Sequence, residues 1–495
     1  MNPILPGFNP DPSAVLVDGV YYVVTSSFEY LPGLPVYRSV DLEEWSLIGH
    51  VAVREEQLGI AHSPTPGGAW APTIRFHDGL FYVIVSAMFN ARGCVVFTAE
   101  SPEGPWSGGV EIPAVNGIDP DVAWDADGNA YVTYAVMGQG IRQLRVDLTT
   151  GAALEEARQL WSGTGLHAPE GPHLYQRGDD WYLLIAEGGT ERGHAVSIAR
   201  GPSPEGPFEG FSGNPILSAR STDSAAQNIG HADLVETVDG GTALVFLGVR
   251  PVGFTRSFSP LGRETFATRV DWVEGWPIPR PVEVAQTAAD VDDVLDTSSP
   301  LEASGWIAPR RTPSEISSVD AAGRLVLAGE GTDLTNPRPV FVGRRQPHLG
   351  AQFTARVDAS RGTGGIAARH TEVHWFSLEA SRAADACRVV ARASLAGLVH
   401  EWEVGLPAGD VVLAIRSREP GSRAGGGAPE TGGDRIDLVA ASVDQPEHEI
   451  VVAQLDGRYW SFETTESFTG RILGLYAEDG IVSFSEVRYR GVPHG

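Results

Sequence analysis

Hydrophobic and polar positions along the first 285 residues fall into short β-branched and aromatic runs set between Asp, Gly and Pro, and one such unit occurs five times. Asp18-Gly19-Val20-Tyr21-Tyr22-Val23-Val24 returns as Asp78-Gly79-Leu80-Phe81-Tyr82-Val83-Ile84, as Asp127-Gly128-Asn129-Ala130-Tyr131-Val132-Thr133 and as Asp179-Asp180-Trp181-Tyr182-Leu183-Leu184. A weaker fifth copy is Gly240-Gly241-Thr242-Ala243-Leu244-Val245-Phe246. Each copy is a turn followed by a strand. Ser101-Pro102-Glu103-Gly104-Pro105-Trp106 and Ser203-Pro204-Glu205-Gly206-Pro207-Phe208 echo the same period. A strand-and-turn unit recurring about every 50 to 60 residues predicts a five-bladed β-propeller, in which radial closure buries each blade against its neighbours.

After Trp276-Pro277-Ile278-Pro279 the repeat stops. The acidic, polar stretch 286–304 reads as a linker crossing to a second domain. From 305 to 495 short alternating runs such as Arg324-Leu325-Val326-Leu327, Ala351–Val357 and Ile450–Leu455 predict an antiparallel β-sandwich. The expected organisation is therefore all-β: propeller 1–285, linker 286–304, sandwich 305–495. Within the sandwich, 419–434 is Gly-rich and of low complexity, and predicts a flexible loop.

Composition narrows the function. The 495 residues hold 63 Asp+Glu against 36 Lys+Arg, a net charge of −27, and every one of those 36 is Arg. That field repels phosphate backbones and anionic lipid, so nucleic acid and membrane are excluded as partners. The absence of lysine excludes Schiff-base catalysis and the lysine of a phosphate-binding loop. No apolar run is long enough to span a bilayer, and the two cysteines, Cys94 and Cys387, form no framework, so a reduced, cytoplasmic setting is expected. A homo-oligomer is left open.

Three carboxylates stand at equivalent blade entries, each beside Pro or Gly: Asp11 in Asn9-Pro10-Asp11-Pro12-Ser13, Asp119 in Gly117-Ile118-Asp119-Pro120-Asp121, and Glu170 in Ala168-Pro169-Glu170-Gly171-Pro172. Innermost propeller strands aim one end at a shared cavity, so acids far apart in sequence can converge there. Glycoside hydrolysis uses such acids: one protonates the leaving oxygen, one activates water or attacks the sugar, and a third raises the pKa of the proton donor by repulsion.

Those motifs, together with Ser26-Ser27-Phe28-Glu29-Tyr30, Gly67-Gly68-Ala69-Trp70-Ala71-Pro72, Ala186-Glu187-Gly188-Gly189-Thr190, Gly230-His231-Ala232-Asp233 and Leu261-Gly262-Arg263-Glu264-Thr265, resemble the ordered motifs of glycoside hydrolase family 43, the β-xylosidase and α-L-arabinofuranosidase group. The resemblance implies a concanavalin-A-like second domain, supported by Asn336-Pro337 and Ser467-Phe468-Thr469-Gly470. It makes Asp11 the general base, Glu170 the general acid and Asp119 the group that tunes and positions the acid. Inversion, the family's stereochemistry, requires a base-to-acid separation of roughly 6.5 to 9.5 Å. It further implies Phe28 and Trp70 as sugar-facing aromatics, Arg263 at the pocket floor, and Phe468 as a cap from the second domain. His231 matches a histidine at an axial metal, usually calcium, which would be structural, since the chemistry itself needs no cofactor. Asp121 departs from the small residue often present in relatives; two residues apart on a strand face the same side, so Asp121 is expected to reach the cavity as well.

The expected activity is exo-acting, inverting release of a terminal β-D-xylose from oligosaccharides. An α-L-arabinofuranosidase is the near alternative. A non-catalytic sugar-binding propeller and a scaffold propeller are the rivals of other classes.

Overall fold

A computed structural model describes residues 2–253, 257–284, 291–297, 300–383, 385–418 and 434–492. The Gly-rich stretch at 419–433 lies outside the described residues. The chain divides into two compact units: Met1–Leu5, Asn9–Arg250 and Glu264–Ala285 in the first, Pro6–Phe8, Pro251–Arg263 and Gln286–Gly495 in the second.

The first unit is the five-bladed propeller. Its blades open with innermost strands Ser13–Val17, Gly68–His77, Ile118–Trp124, Glu170–Arg177 and Gln227–Glu236, each hydrogen-bonded antiparallel to the strand after it. The repeated unit of the sequence is the hairpin turn plus the second strand of each blade, Val20–Val24, Leu80–Met88, Ala130–Val136, Asp180–Glu187 and Thr242–Val249. Asp18 and Asp78 take positive φ there, a conformation that Asp tolerates better than most residues.

These second strands are apolar on both faces because each blade is sandwiched. Val83 packs toward blade 1 and its neighbour Ile84 toward blade 3; Leu183 packs toward blade 3 and Leu184 toward blade 5; Leu244 and Val245 likewise serve the two sides of blade 5. A half-exposed strand would instead have alternated apolar with polar. The ring is closed by the chain start: Ile4 and Leu5 donate backbone N–H groups to Thr265 O, and Asn2 exchanges two 2.8 Å hydrogen bonds with the backbone of Ala267.

The second unit is the β-sandwich. Two long strands, Gly350–Arg369 and Ile472–Val492, pair antiparallel along most of their length, with irregularities at Thr354/Arg356, Asp358/Arg361 and Thr363/Gly364. Bulges of this kind bend a strand, so the two halves enter different layers. Ala351–Val357 continues into Val411–Arg418, Arg435–Ser442 and Ile450–Asp456, whereas Thr363–Arg369 continues into His374–Ala383, Ala386–Leu395 and Leu398–Pro407. Leu413, Ile436 and Leu438 from one layer meet Phe376, Leu378 and Val389 from the other in one core. Val291–Val294, expected in a linker, pairs with Arg488–Gly491 as an edge strand of this unit.

Residues 251–263 leave blade 5 between its second and third strands and belong to the second unit. An Arg250–Glu264 pair (Nε–Oε2 2.7 Å, Nη2–Oε1 2.8 Å) closes the base of this excursion from the propeller side. Both groups lie in the low-dielectric blade edge, where a bidentate fork is strongest.

Candidate active site

The innermost strands of blades 2 to 5 share an irregularity near the start. Pairing with the second strand shifts between Ala69 and Pro72, between Ile118 and Asp121, between Glu170 and His173, and twice between Gln227 and Ala232. Within or beside these bulges Asp119, Asn228 and His231 take φ of 54°, 54° and 46°, and Gly171 takes 54°. In blade 1 Asp11, just ahead of the first strand, has φ 55°. Left-handed conformations at non-glycine residues are costly and persist where the surroundings over-determine them. Each bulge redirects one side chain away from the regular alternation.

The redirected groups meet. Asp11 accepts a 2.5 Å hydrogen bond from Ser26 Oγ, and its Oδ1 lies 3.9 Å from His231 Nδ1. The His231 ring covers Gly171: a Cβ there would stand 2.9 to 3.1 Å from it, which is why a glycine follows Glu170. The Gly171 N–H donates to Asp119 Oδ2 at 3.0 Å, so Asp119 holds the peptide that carries Glu170. Asp11, Asp119 and Glu170 are thus linked through His231 and Gly171, across blades 1, 3, 4 and 5.

Glu170 has a further neighbour that sequence reading missed. His194, fully buried, directs Nδ1 at Asn228 O (2.9 Å). A carbonyl only accepts, so Nδ1 carries the hydrogen and Nε2 faces Glu170 Oε1 at 3.8 Å. Gly230 makes room for this ring, with a would-be Cβ 2.5 Å from it. The Gly-His pair at 230–231 signals this only once the structure shows two histidine rings needing glycine beneath them.

The loop before Glu170 is fastened by Glu187. Its Oε1 accepts from Thr164 N and its Oε2 from Thr164 Oγ, both at 2.8 Å, and Gly188 N donates to His167 O at 2.7 Å.

Phe28 and Trp70 form an aromatic wall, edge to face with centroids 6.5 Å apart; Phe89, absent from the sequence expectation, continues it at 5.6 Å from Trp70. Phe28 and Ala69 exchange backbone hydrogen bonds of 2.9 and 3.0 Å. Gly68 (φ 95°) permits this close approach, since a Cβ would sit 2.1 Å from Phe28 O. Trp70 Nε1 donates to Pro66 O at 3.0 Å, which fixes the indole in its half-buried pose. Because Ser26 holds Asp11 two residues before Phe28, the wall and the carboxylate are set by one loop.

Asp121 is not beside Asp119. The bulge between them breaks the alternation on which that expectation rested, and Asp121 Oδ1 instead pairs with Arg75 Nη2 at 2.8 Å while Oδ2 accepts Leu174 N–H at 2.8 Å. Arg263 and Phe468 both belong to the second unit, where Arg263 Nη2 reaches Phe468 O at 3.4 Å and its guanidinium lies over the Phe468 ring at 5.1 Å.

The residues present do not make a protein cage for calcium. Calcium takes six to eight oxygens, whereas His231 offers one nitrogen. Among the described residues no three His, Cys, Asp or Glu side chains are grouped to hold a metal ion.

Comparison with known proteins agrees with this geometry. The family description "Glycosyl hydrolases family 43" matches residues 1–277, and "Beta xylosidase C-terminal Concanavalin A-like domain" matches residues 302–490. A non-reducing end α-L-arabinofuranosidase of Bacteroides ovatus is 34% identical over 96% of this chain and 90% of its own length. A xylan 1,3-β-xylosidase of Vibrio sp is 37% identical, over 56% of each chain. Among solved structures, Bacteroides ovatus Xyloglucan PUL GH43B superposes with a TM-score of 0.87 at 32% identity, covering 99% of both chains. A xylan β-1,4-xylosidase from Bacillus halodurans C-125 gives 0.86 at 26% identity over 99% of both. With five blades, a sandwich and converging carboxylates in place, the chain belongs to glycosyl hydrolase family 43.

Proposed function

We propose that this glycoside hydrolase releases a terminal β-D-xylose from xylo-oligosaccharides by single-step inversion. The observation that carries the reading is the convergence of Asp11, Asp119 and Glu170 through His231 and Gly171, beside an aromatic wall of Phe28, Trp70 and Phe89. Asp11, oriented by the Ser26 hydroxyl, acts as general base and takes a proton from the attacking water. Glu170 donates its proton to the departing glycosidic oxygen. Asp119 fixes the Glu170 peptide, and its negative charge favours the protonated acid. The wall offers apolar ring faces to the sugar.

An α-L-arabinofuranosidase activity is the second reading, favoured by the near full-length match to the Bacteroides ovatus enzyme. Turnover of 4-nitrophenyl β-D-xylopyranoside and 4-nitrophenyl α-L-arabinofuranoside by the purified chain ranks the two. Sugar-induced thermal stabilisation without turnover of either would replace both with a binding protein.

A further inference from the structure

Below the candidate catalytic groups, the propeller axis is filled by charge rather than by hydrocarbon, and every blade contributes. Arg75 from blade 2 places Nη2 2.8 Å from Asp121 Oδ1 of blade 3 and 3.0 Å from His173 Nδ1 of blade 4. Its Nη1 lies 2.8 Å from Asp233 Oδ2 of blade 5, 3.3 Å from Ser13 Oγ of blade 1 and 2.9 Å from its neighbour's carbonyl, Ile74 O. The Asp233 carboxylate also accepts from Ser13 Oγ (2.6 Å), Ala14 N (3.0 Å) and the Tyr175 hydroxyl. Asp121 and Asp233 are fully buried.

A planar guanidinium with five donors suits this set better than a metal ion does. The oxygens that a divalent cation would need already accept from Arg75, from backbone N–H groups or from hydroxyls. A buried carboxylate pair without a cation would be strongly unfavourable, because each charge would lose its hydration with nothing to replace it.

The members of this cluster are chain neighbours of the proposed catalytic groups. Ser13 follows Asp11 by two residues, Asp121 follows Asp119 by two, His173 follows Glu170 by three, and Asp233 follows His231 by two. A bulge separates each pair in blades 3 to 5, so the axial cluster anchors each strand where its site residue turns away.

We propose that Arg75 is a built-in axial cation, standing in the role that a divalent metal would otherwise fill, so that the folded chain requires no metal ion. Arg75 is accordingly a positioning residue for Asp11, Asp119 and Glu170. Removing its guanidinium while keeping Asp121, His173 and Asp233 leaves two carboxylates and an imidazole facing a vacated space, a latent site for a hard divalent cation or free guanidinium.

The test has two arms. Wild-type protein purified without added metal is dialysed against EDTA, then measured for bound metal by mass spectrometry, for Tm and for turnover. Expected are far less than one ion per chain and no change in Tm or turnover. Arg75→Ala is expected to lower Tm by roughly 10 °C. Calcium, manganese or guanidinium chloride at low millimolar concentration should restore part of Tm and turnover, sodium at equal ionic strength should not, and Arg75→Lys should fall between. A stoichiometric, EDTA-removable ion whose loss lowers Tm or turnover in the wild type would overturn the proposal, and this arm decides alone should Arg75→Ala fail to fold. A folded Arg75→Ala with wild-type Tm, or one that none of these cations restores, would overturn it as well.

Discussion

At Asp119 the backbone adopts a left-handed conformation that most residues avoid, and the next acid, Asp121, consequently points elsewhere. The same device operates at His231, so that single residues rather than whole strands decide what faces the substrate. The Pro- and Gly-flanked acids were legible in the sequence because turn residues beside carboxylates at three blade entries are unusual. Strand alternation does not carry from Asp119 to Asp121 because a bulge lies between them, and such a bulge has no sharp sequence signature. Arg75 was invisible for a related reason: in Thr73-Ile74-Arg75-Phe76 it reads as the solvent side of an alternating strand, and only a five-fold arrangement brings that side to an axis. Replacement of either acid–base partner has a defined consequence. Glu170→Ala should lower turnover of xylobiose about 10²- to 10⁴-fold, with a smaller loss on a nitrophenyl substrate whose leaving group needs little protonation. Asp11→Ala should lose a similar factor on both substrates. Steady-state kinetics on the two substrates checks this; equal losses for Glu170→Ala would remove its role as acid.

Among the elements, the repeated hairpin is what the sequence displays most clearly, since a second strand buried on both faces carries apolar residues pointing both ways. The loops between blades are less legible because their partners are remote in sequence. The segment delivering Glu170 is the clearest case. Glu187 ties down Thr164 by backbone and hydroxyl together, and this carboxylate sits in the second strand of blade 4, where the pattern suggests core. Glu187→Ala should release the loop and lower kcat by roughly 10- to 100-fold with a smaller change in KM. Glu187→Gln, which keeps an acceptor for Thr164 N–H, should recover most of it. An unchanged kcat in a folded Glu187→Ala would show that the loop holds its place without this clasp.

Over the whole chain, two compact units are interleaved in sequence, which the composition shift near residue 280 does not reveal. Residues 251–263 arise inside blade 5 yet find their partners in the second unit: Ser259 donates through N (2.7 Å) and Oγ (2.6 Å) to Glu463, and Arg263 lies over Phe468. A chain ending at residue 285 would leave this excursion without those partners, and is expected to show a lower Tm and a lower soluble yield than the full chain. Equal melting of the two by differential scanning calorimetry would contradict that. The axial cluster makes a second prediction at this scale. Arg75 beside Asp233 holds its carboxyl well below the ordinary carboxylate range against the opposing effect of burial, whereas burial beside Asp233 raises the Tyr175 hydroxyl well above its usual value. The Asp233 contribution is therefore present above about pH 4 and is lost as pH falls toward its folded-state value; that of Tyr175 is present below about pH 10 and is lost as pH rises further. Thermal stability should plateau between these limits, and Asp233→Asn should lower the plateau and flatten its acid side. The central claim is that Asp11 directs water while Glu170 protonates the leaving oxygen in one displacement, and the anomer of the first-formed sugar tests it most directly. Proton NMR of 4-nitrophenyl β-D-xylopyranoside hydrolysis, in which the single sugar released is the one attacked, should show α-xylose first, with the β-anomer growing only through mutarotation; β-xylose as the first product would contradict inversion.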